Sequence, residues 1–219
     1  MNGFECLRCG ECCRRYYIVS LPEEVERQAE LVKIPGKDFV HGKMQLYLQL
    51  FPAEPSGDKI TVTSKDLPKR LYRKIENALG FMPSNFIALP LLCFKRTLGS
   101  LGCCIFYDSK KGCTIYPARP KECCLFPFIS LKESADYATL YPFCKGLAAS
   151  HSASYAGMGH ASKAKEHFAE VAEHLGEVKE KGFKKIWKYW PKSGVCLLEG
   201  NFLCKISEKD FFAAIKPYS

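Results

Sequence analysis

The chain lacks the long hydrophobic run that would mark a membrane protein. Its longest mostly apolar stretch, Phe86 to Phe94, is interrupted by Pro90 and falls far short of the ~20 residues a span requires. An apolar leader is missing too: Met1-Asn-Gly-Phe-Glu runs directly into the first cysteines. Both absences predict a cytoplasmic protein with no membrane span. No Gly-x-Gly-x-x-Gly occurs and no glycine-rich phosphate loop follows a strand-like segment, so the nucleotide-dependent classes are without their motif. A Cys-x3-Cys-x2-Cys run, as radical S-adenosylmethionine enzymes use, is also absent. Acidic residues are few, 23 against 32 basic ones, which leaves a formal charge of +9. Such a balance suits nucleic acid, an acidic protein or an anionic surface. Much of the excess lies in helix-like segments that also carry Glu, so a solvated lysine surface is the plainer reading, and nucleic acid is not favoured.

What the chain does hold is cysteine, thirteen of them in 219 residues. The odd count argues against a complete disulfide framework, and clustered thiols in a reducing compartment usually bind metal. Four fall within eight residues, in Cys6-Leu-Arg-Cys9-Gly-Glu-Cys12-Cys13. A second segment follows a hundred residues on, with Cys104, Cys113 and Cys123, and Cys144 lies beyond it. A Cys-x-x-Cys turn places two thiolates on one centre, and a further x-x-Cys adds a third. The run Cys6, Cys9, Cys12 has the spacing that iron–sulfur loops use for three corners of a cubane. The expected cofactor is therefore an iron–sulfur cluster of the [4Fe–4S] type, with zinc as the alternative. The candidate ligands are Cys6, Cys9, Cys12, Cys13, Cys104, Cys113, Cys123 and Cys144.

Adjacent side chains usually diverge, so Cys13 is awkward beside Cys12 on one ion, and Cys103 and Cys124 are poor candidates. Cys93, Cys196 and Cys204 stand singly among apolar residues and read as small buried hydrophobes. His160, His167 and His174 recur at seven-residue spacing, about 10 Å apart on a helix, which is too far for one ion. They read as a solvated helix face, with His151 nearby in sequence. Trp187, Tyr189 and Trp190 among lysines suggest either core positions or, on a zinc protein, a basic face for a partner.

Local patterns predict an α+β fold, with short strands and irregular cysteine-rich loops around the metal centre and a helical C-terminal segment. Ser20-Leu-Pro22-Glu-Glu opens a helix. Met44 to Phe51 and Ile60 to Thr63 read as a hairpin, and Leu67 to Leu79 as a basic amphipathic helix stopped by Gly80. Residues 81–102 read as irregular core. A polar turn at Asp108 to Gly112 makes a hairpin that draws Cys104 toward Cys113. Tyr137 to Phe143 reads as a strand, Ser162 to Lys181 as a helix, and Ser207 as the cap of a last short helix. The expected organisation is a cysteine-cluster metal-binding domain over residues 1–146 and a helical C-terminal extension over 147–219 packed on it.

The opening motif, Phe4-x-Cys6-x-x-Cys9-Gly10-x-Cys12-Cys13 followed by Ile-Val-Ser-Leu-Pro-Glu-Glu, resembles the start of the CxxCxxCC (YkgJ-like) cysteine-cluster family. Cys113-Thr-Ile-Tyr116-x-x-Arg119-Pro120-x-x-Cys123-x-x-Phe126-Pro127 resembles that family's second signature. The resemblance spans residues 4–34 and 103–128 and implies a chelated zinc, iron or iron–sulfur centre. Some relatives are described as flagellin lysine N-methylases, yet nothing in this chain resembles a cofactor pocket for methyl transfer. The expected role is electron transfer or service as an accessory or maturation factor, with a redox or client protein as partner.

Overall fold

A computed structural model of the chain describes residues 4–53, 61–97, 102–130, 136–149, 160–187, 189, 194–198 and 202–216. In chain order the helices and strands begin with α1 (Glu11–Arg15), α2 (Pro22–Leu31) and α3 (Gly36–Lys43). Strands β1 (Met44–Pro52) and β2 (Thr61–Thr63), helix α4 (Lys69–Leu79) and strand β3 (Asn85–Phe94) follow. Next come the short pair β4 (Tyr107–Asp108) and β5 (Gly112–Cys113), then helices α5 (Lys121–Leu125), α6 (Tyr137–Leu140) and α7 (Lys145–Ala149). The chain closes with α8 (His160–Lys181), α9 (Phe183–Ile186), β6 (Gly194–Leu198), β7 (Phe202–Ile206) and α10 (Glu208–Ala214). The fold is α+β.

Two compact units form, each from two separate stretches: Met1–Ile34 with Phe94–His174, and Pro35–Cys93 with Leu175–Ser219. The second unit is built on a mixed five-stranded sheet of order β2-β3-β1-β6-β7. Strand β1 runs parallel to β6, and β7 returns antiparallel beside it. Leu46, Leu48 and Leu50 alternate along β1 and are buried, each contributing about 1.5–3 kcal/mol relative to exposure. Helix α4 ends where expected, with Gly80 in the left-handed conformation after Leu79. Ser207 caps α10 by accepting from the Asp210 N–H at 3.1 Å.

Three sequence expectations are corrected here. The segments at 44–52 and 61–63 are strands but not a hairpin, because β3 lies between them. Residues 85–94 are that strand, not irregular core. Pro90 sits within it, beyond the Asn85–Ile87 stretch that pairs with β2 among the described residues. Residues 137–140 are helix rather than strand, because the Asp136 carboxylate accepts from the Ala138 and Thr139 amides and starts a helical turn.

The first unit carries the cysteine segments. Thr114 donates twice to the Phe106 carbonyl and closes the β4–β5 hairpin, which the Asp108 carboxylate braces by accepting from the Lys110 and Lys111 amides. A small core of Phe128, Tyr137, Cys144 and Leu147 forms beside it, with Phe4, Phe126 and Tyr141 packed against it. His167, expected on a solvated face, is 6% exposed, so α8 turns it inward. His151 and Trp190 lie outside the described residues.

Candidate metal centre

Each cysteine is placed by a short element or a tight turn. Cys6 and Cys9 precede α1 in an open loop, and Cys12 and Cys13 occupy its first turn. Gly10 makes that turn possible: its φ is +77°, and a Cβ there would lie 2.2 Å from the ring of Tyr107. Cys113 sits on β5, Cys123 inside α5, and Cys144 immediately ahead of α7. Cys104 precedes β4, and its amide donates to the Cys13 carbonyl at 2.9 Å.

Seven of the eight candidates, Cys6, Cys9, Cys12, Cys13, Cys113, Cys123 and Cys144, line one cavity of about 70 Å³. A single water-sized sphere needs roughly 10–15 Å³ in such a space, so the cavity admits several atoms. Among the described residues no three Cys, His, Asp or Glu side chains close on one point tightly enough to hold a single ion. Cys104 does not border the cavity, yet its thiol acts electrostatically on Cys13 and Cys123. Cys6 likewise acts on Cys113, and Cys9 on Cys144. The structure therefore gathers all eight thiols into one neighbourhood. Cys124 is exposed and accepts a hydrogen bond from Arg119 Nε at 3.2 Å. Cys93, Cys196 and Cys204 belong to the other unit.

The thiols are tuned by burial and by backbone amides. A hydrogen bond from Cys13 holds the Cys12 thiol down at about 7, and the same bond drives the Cys13 thiol upward. These neighbours thus meet rather than diverge, because the single turn of α1 brings both into the cavity. Burial pushes the Cys104 thiol up to about 11 and raises Cys113, Cys123 and Cys144 as well. Against that, the Phe106 amide faces Cys104, the Ile115 amide faces Cys113, and the Gly146 and Leu147 amides face Cys144. Three sulfurs therefore meet an N–H two residues further along the chain. Such amides stabilise a thiolate, and they suit a soft metal's sulfur ligands.

Residues silent in the sequence hold these loops in place. Arg96 donates from Nη1 to the Tyr16 carbonyl at 2.7 Å and from Nη2 to the Arg14 carbonyl, and lies over the Tyr17 ring. Tyr107 donates its hydroxyl to the Cys9 carbonyl at 3.0 Å. Glu24 is 4% exposed and accepts from the Leu21 amide at 2.9 Å and the Lys121 amide at 2.7 Å. Glu122 accepts from the Val19 amide at 2.8 Å, and desolvation pushes its carboxyl up to about 7. The two carboxylates thus tie the first cysteine segment to the second from opposite ends of the contact. Arg119 stacks at 3.8 Å on Tyr116, which Arg8 also covers at 4.0 Å.

The inner wall is aromatic: Phe126 meets Tyr141 at 5.0 Å and Tyr16 at 5.6 Å, while Phe4 meets Phe128 at 5.1 Å. The first cysteine loop is exposed at Cys6, Leu7 and Arg8. A cavity lined by soft thiols within an α+β fold is the donor set of a metal-chelating protein. The chain belongs to the CxxCxxCC family, whose model carries the description "Putative zinc- or iron-chelating domain" and matches residues 5–145. It matches no curated protein and no solved structure significantly.

Proposed function

We propose that this chain is an iron–sulfur protein of the [4Fe–4S] type, acting in electron transfer or as an accessory or maturation factor for another enzyme. The observation that carries the reading is the shape of the site. Seven cysteines line a space for several atoms, more thiols than the four that a single zinc takes. That arrangement suits a polynuclear group better than a single zinc. Cys6, Cys9, Cys12 and Cys13 would supply most of the corners, and Cys104, Cys113, Cys123 and Cys144 the others. When bound, such a cluster supplies a one-electron carrier.

The chain's own residues do the rest. Arg8 places positive charge at the cavity, Arg14 and Arg15 pair with Glu11 on α1, and the amides near the sulfurs hold negative charge on them. Phe4, Phe126 and the rings behind them exclude water from the inner wall. The exposed Cys6–Arg8 edge is the natural approach for a redox or client protein. Among the described residues no helix is long and apolar enough to cross a membrane, and we place the protein in the cytoplasm, where stable disulfides are rare. Protein purified without oxygen should show broad visible absorption, iron with acid-labile sulfide, and an electron paramagnetic resonance signal after reduction. Stoichiometric zinc with a colourless protein would overturn the reading.

A further inference from the structure

Two cysteines outside the metal centre face each other across the sheet. Cys196 on β6 and Cys204 on β7 are direct partners in the antiparallel register. Opposed residues in such a ladder have Cα atoms about 4.5–5.5 Å apart, inside the roughly 4.4–6.8 Å range of disulfides. Each thiol shifts the ionisation of the other, raising Cys196 and lowering Cys204. Cys196 is fully buried, whereas Cys204 is half-buried on β7, which ends the sheet order. Lys74 of α4 reaches over this strand and donates from Nζ to the Lys205 carbonyl at 3.0 Å, beside Cys204.

We propose that Cys196 and Cys204 form a reversible disulfide, with a low-molecular-weight disulfide as the oxidant. Cys204 is the attacking thiol. It is the reachable member, and Cys196 and the Lys74 charge both favour its thiolate, while Cys196 is itself raised. The Cys204 thiolate attacks one sulfur of the small disulfide, forms a mixed disulfide and expels one small thiolate. The Cys196 thiol then gives up its proton to that thiolate and attacks Cys204 Sγ, expelling the second small thiolate, which takes a proton from water. Two protein thiols are oxidised and one small disulfide is reduced to two thiols. The bond staples β7 to β6, and excess small thiol reverses it.

The test treats anaerobically purified, metal-loaded full-length protein with excess oxidised glutathione, then alkylates it and maps its peptides by mass. In the native chain the peptides holding Cys196 and Cys204 become cross-linked and lose both free thiols. In Cys196→Ser the small thiol stays attached to Cys204, and in Cys204→Ser Cys196 takes up none. Should Cys196→Ser fail to fold, Cys196→Ala serves, and the native cross-link needs no variant. Full alkylation of both cysteines in the treated native protein would overturn the proposal. So would a mixed disulfide persisting on native Cys204 without a cross-link.

Discussion

Gly10→Ala should open the first cysteine segment, and its cost can be worked from the structure. Gly10 has φ +77°, and an alanine there costs about 1 kcal/mol in backbone strain. Its Cβ would stand 2.2 Å from Tyr107 Cε2 and Cζ and 2.7 Å from the hydroxyl, so the ring must move. Displacing a packed ring costs about 1–3 kcal/mol. The hydroxyl's bond to the Cys9 carbonyl is lost as well, about 1 kcal/mol. The sum is about 3–5 kcal/mol, or roughly two to four orders of magnitude in a local opening equilibrium. Gly80→Ala is the control: its φ is +73°, with nothing within 4 Å of the added carbon, so it should cost only about 1 kcal/mol. Hydrogen exchange on peptides spanning residues 9–16 and 76–84 reads both. Pairing Gly10→Ala with Tyr107→Ala should recover the packing part. Equal protection losses in the two single variants would refute the reasoning.

Four further outcomes follow from the site. Glu24→Ala leaves the Leu21 and Lys121 amides without their carboxylate and should destabilise by about 2–4 kcal/mol in denaturant titration, whereas Arg27→Ala, at an exposed partner 3.9 Å away, should change stability by under about 1 kcal/mol. Cys123→Ser should abolish stoichiometric metal retention after gel filtration, while Cys124→Ser, an exposed neighbour bonded to Arg119, should retain it. Metal uptake should depend on pH. Burial raises the Cys104, Cys113, Cys123 and Cys144 thiols, so at neutral pH they carry protons that a metal must displace. Affinity should fall as pH falls, and calorimetry in buffers of different ionisation heat should detect proton release. In the metal-free protein the sign reverses: the raised Cys104 thiol favours folding below pH 9, and that contribution, on the order of 2–3 kcal/mol, is lost as pH rises through about 11.

The parts legible in the sequence are those with local causes. The stop at Gly80, the Ser207 cap and the Asp108 turn each depend on a few consecutive residues, and all three form. The cysteine spacing pointed to one metal neighbourhood, because ligand turns are themselves local. What escaped was set by contacts between distant segments. Nothing near Met44 announces that β3 will separate it from Thr61, and Pro90 concealed β3 because a proline's tolerance depends on which neighbours a strand has. Glu24 reads as a first-turn helix carboxylate and nothing in the sequence marks Glu122, because their partners lie 97 and 103 residues away. Cys196 and Cys204 looked like isolated apolar fillers until the β6–β7 register set them opposite each other. Cys12 and Cys13 were expected to diverge, and only the single turn of α1 brings both to the cavity.

The most direct test of the central claim is native mass spectrometry of the full-length protein purified and sprayed without oxygen. The account predicts a mass increase corresponding to iron together with inorganic sulfide, held as one group per chain and lost on Cys123→Ser. A single zinc ion per chain, with no sulfide, would contradict it.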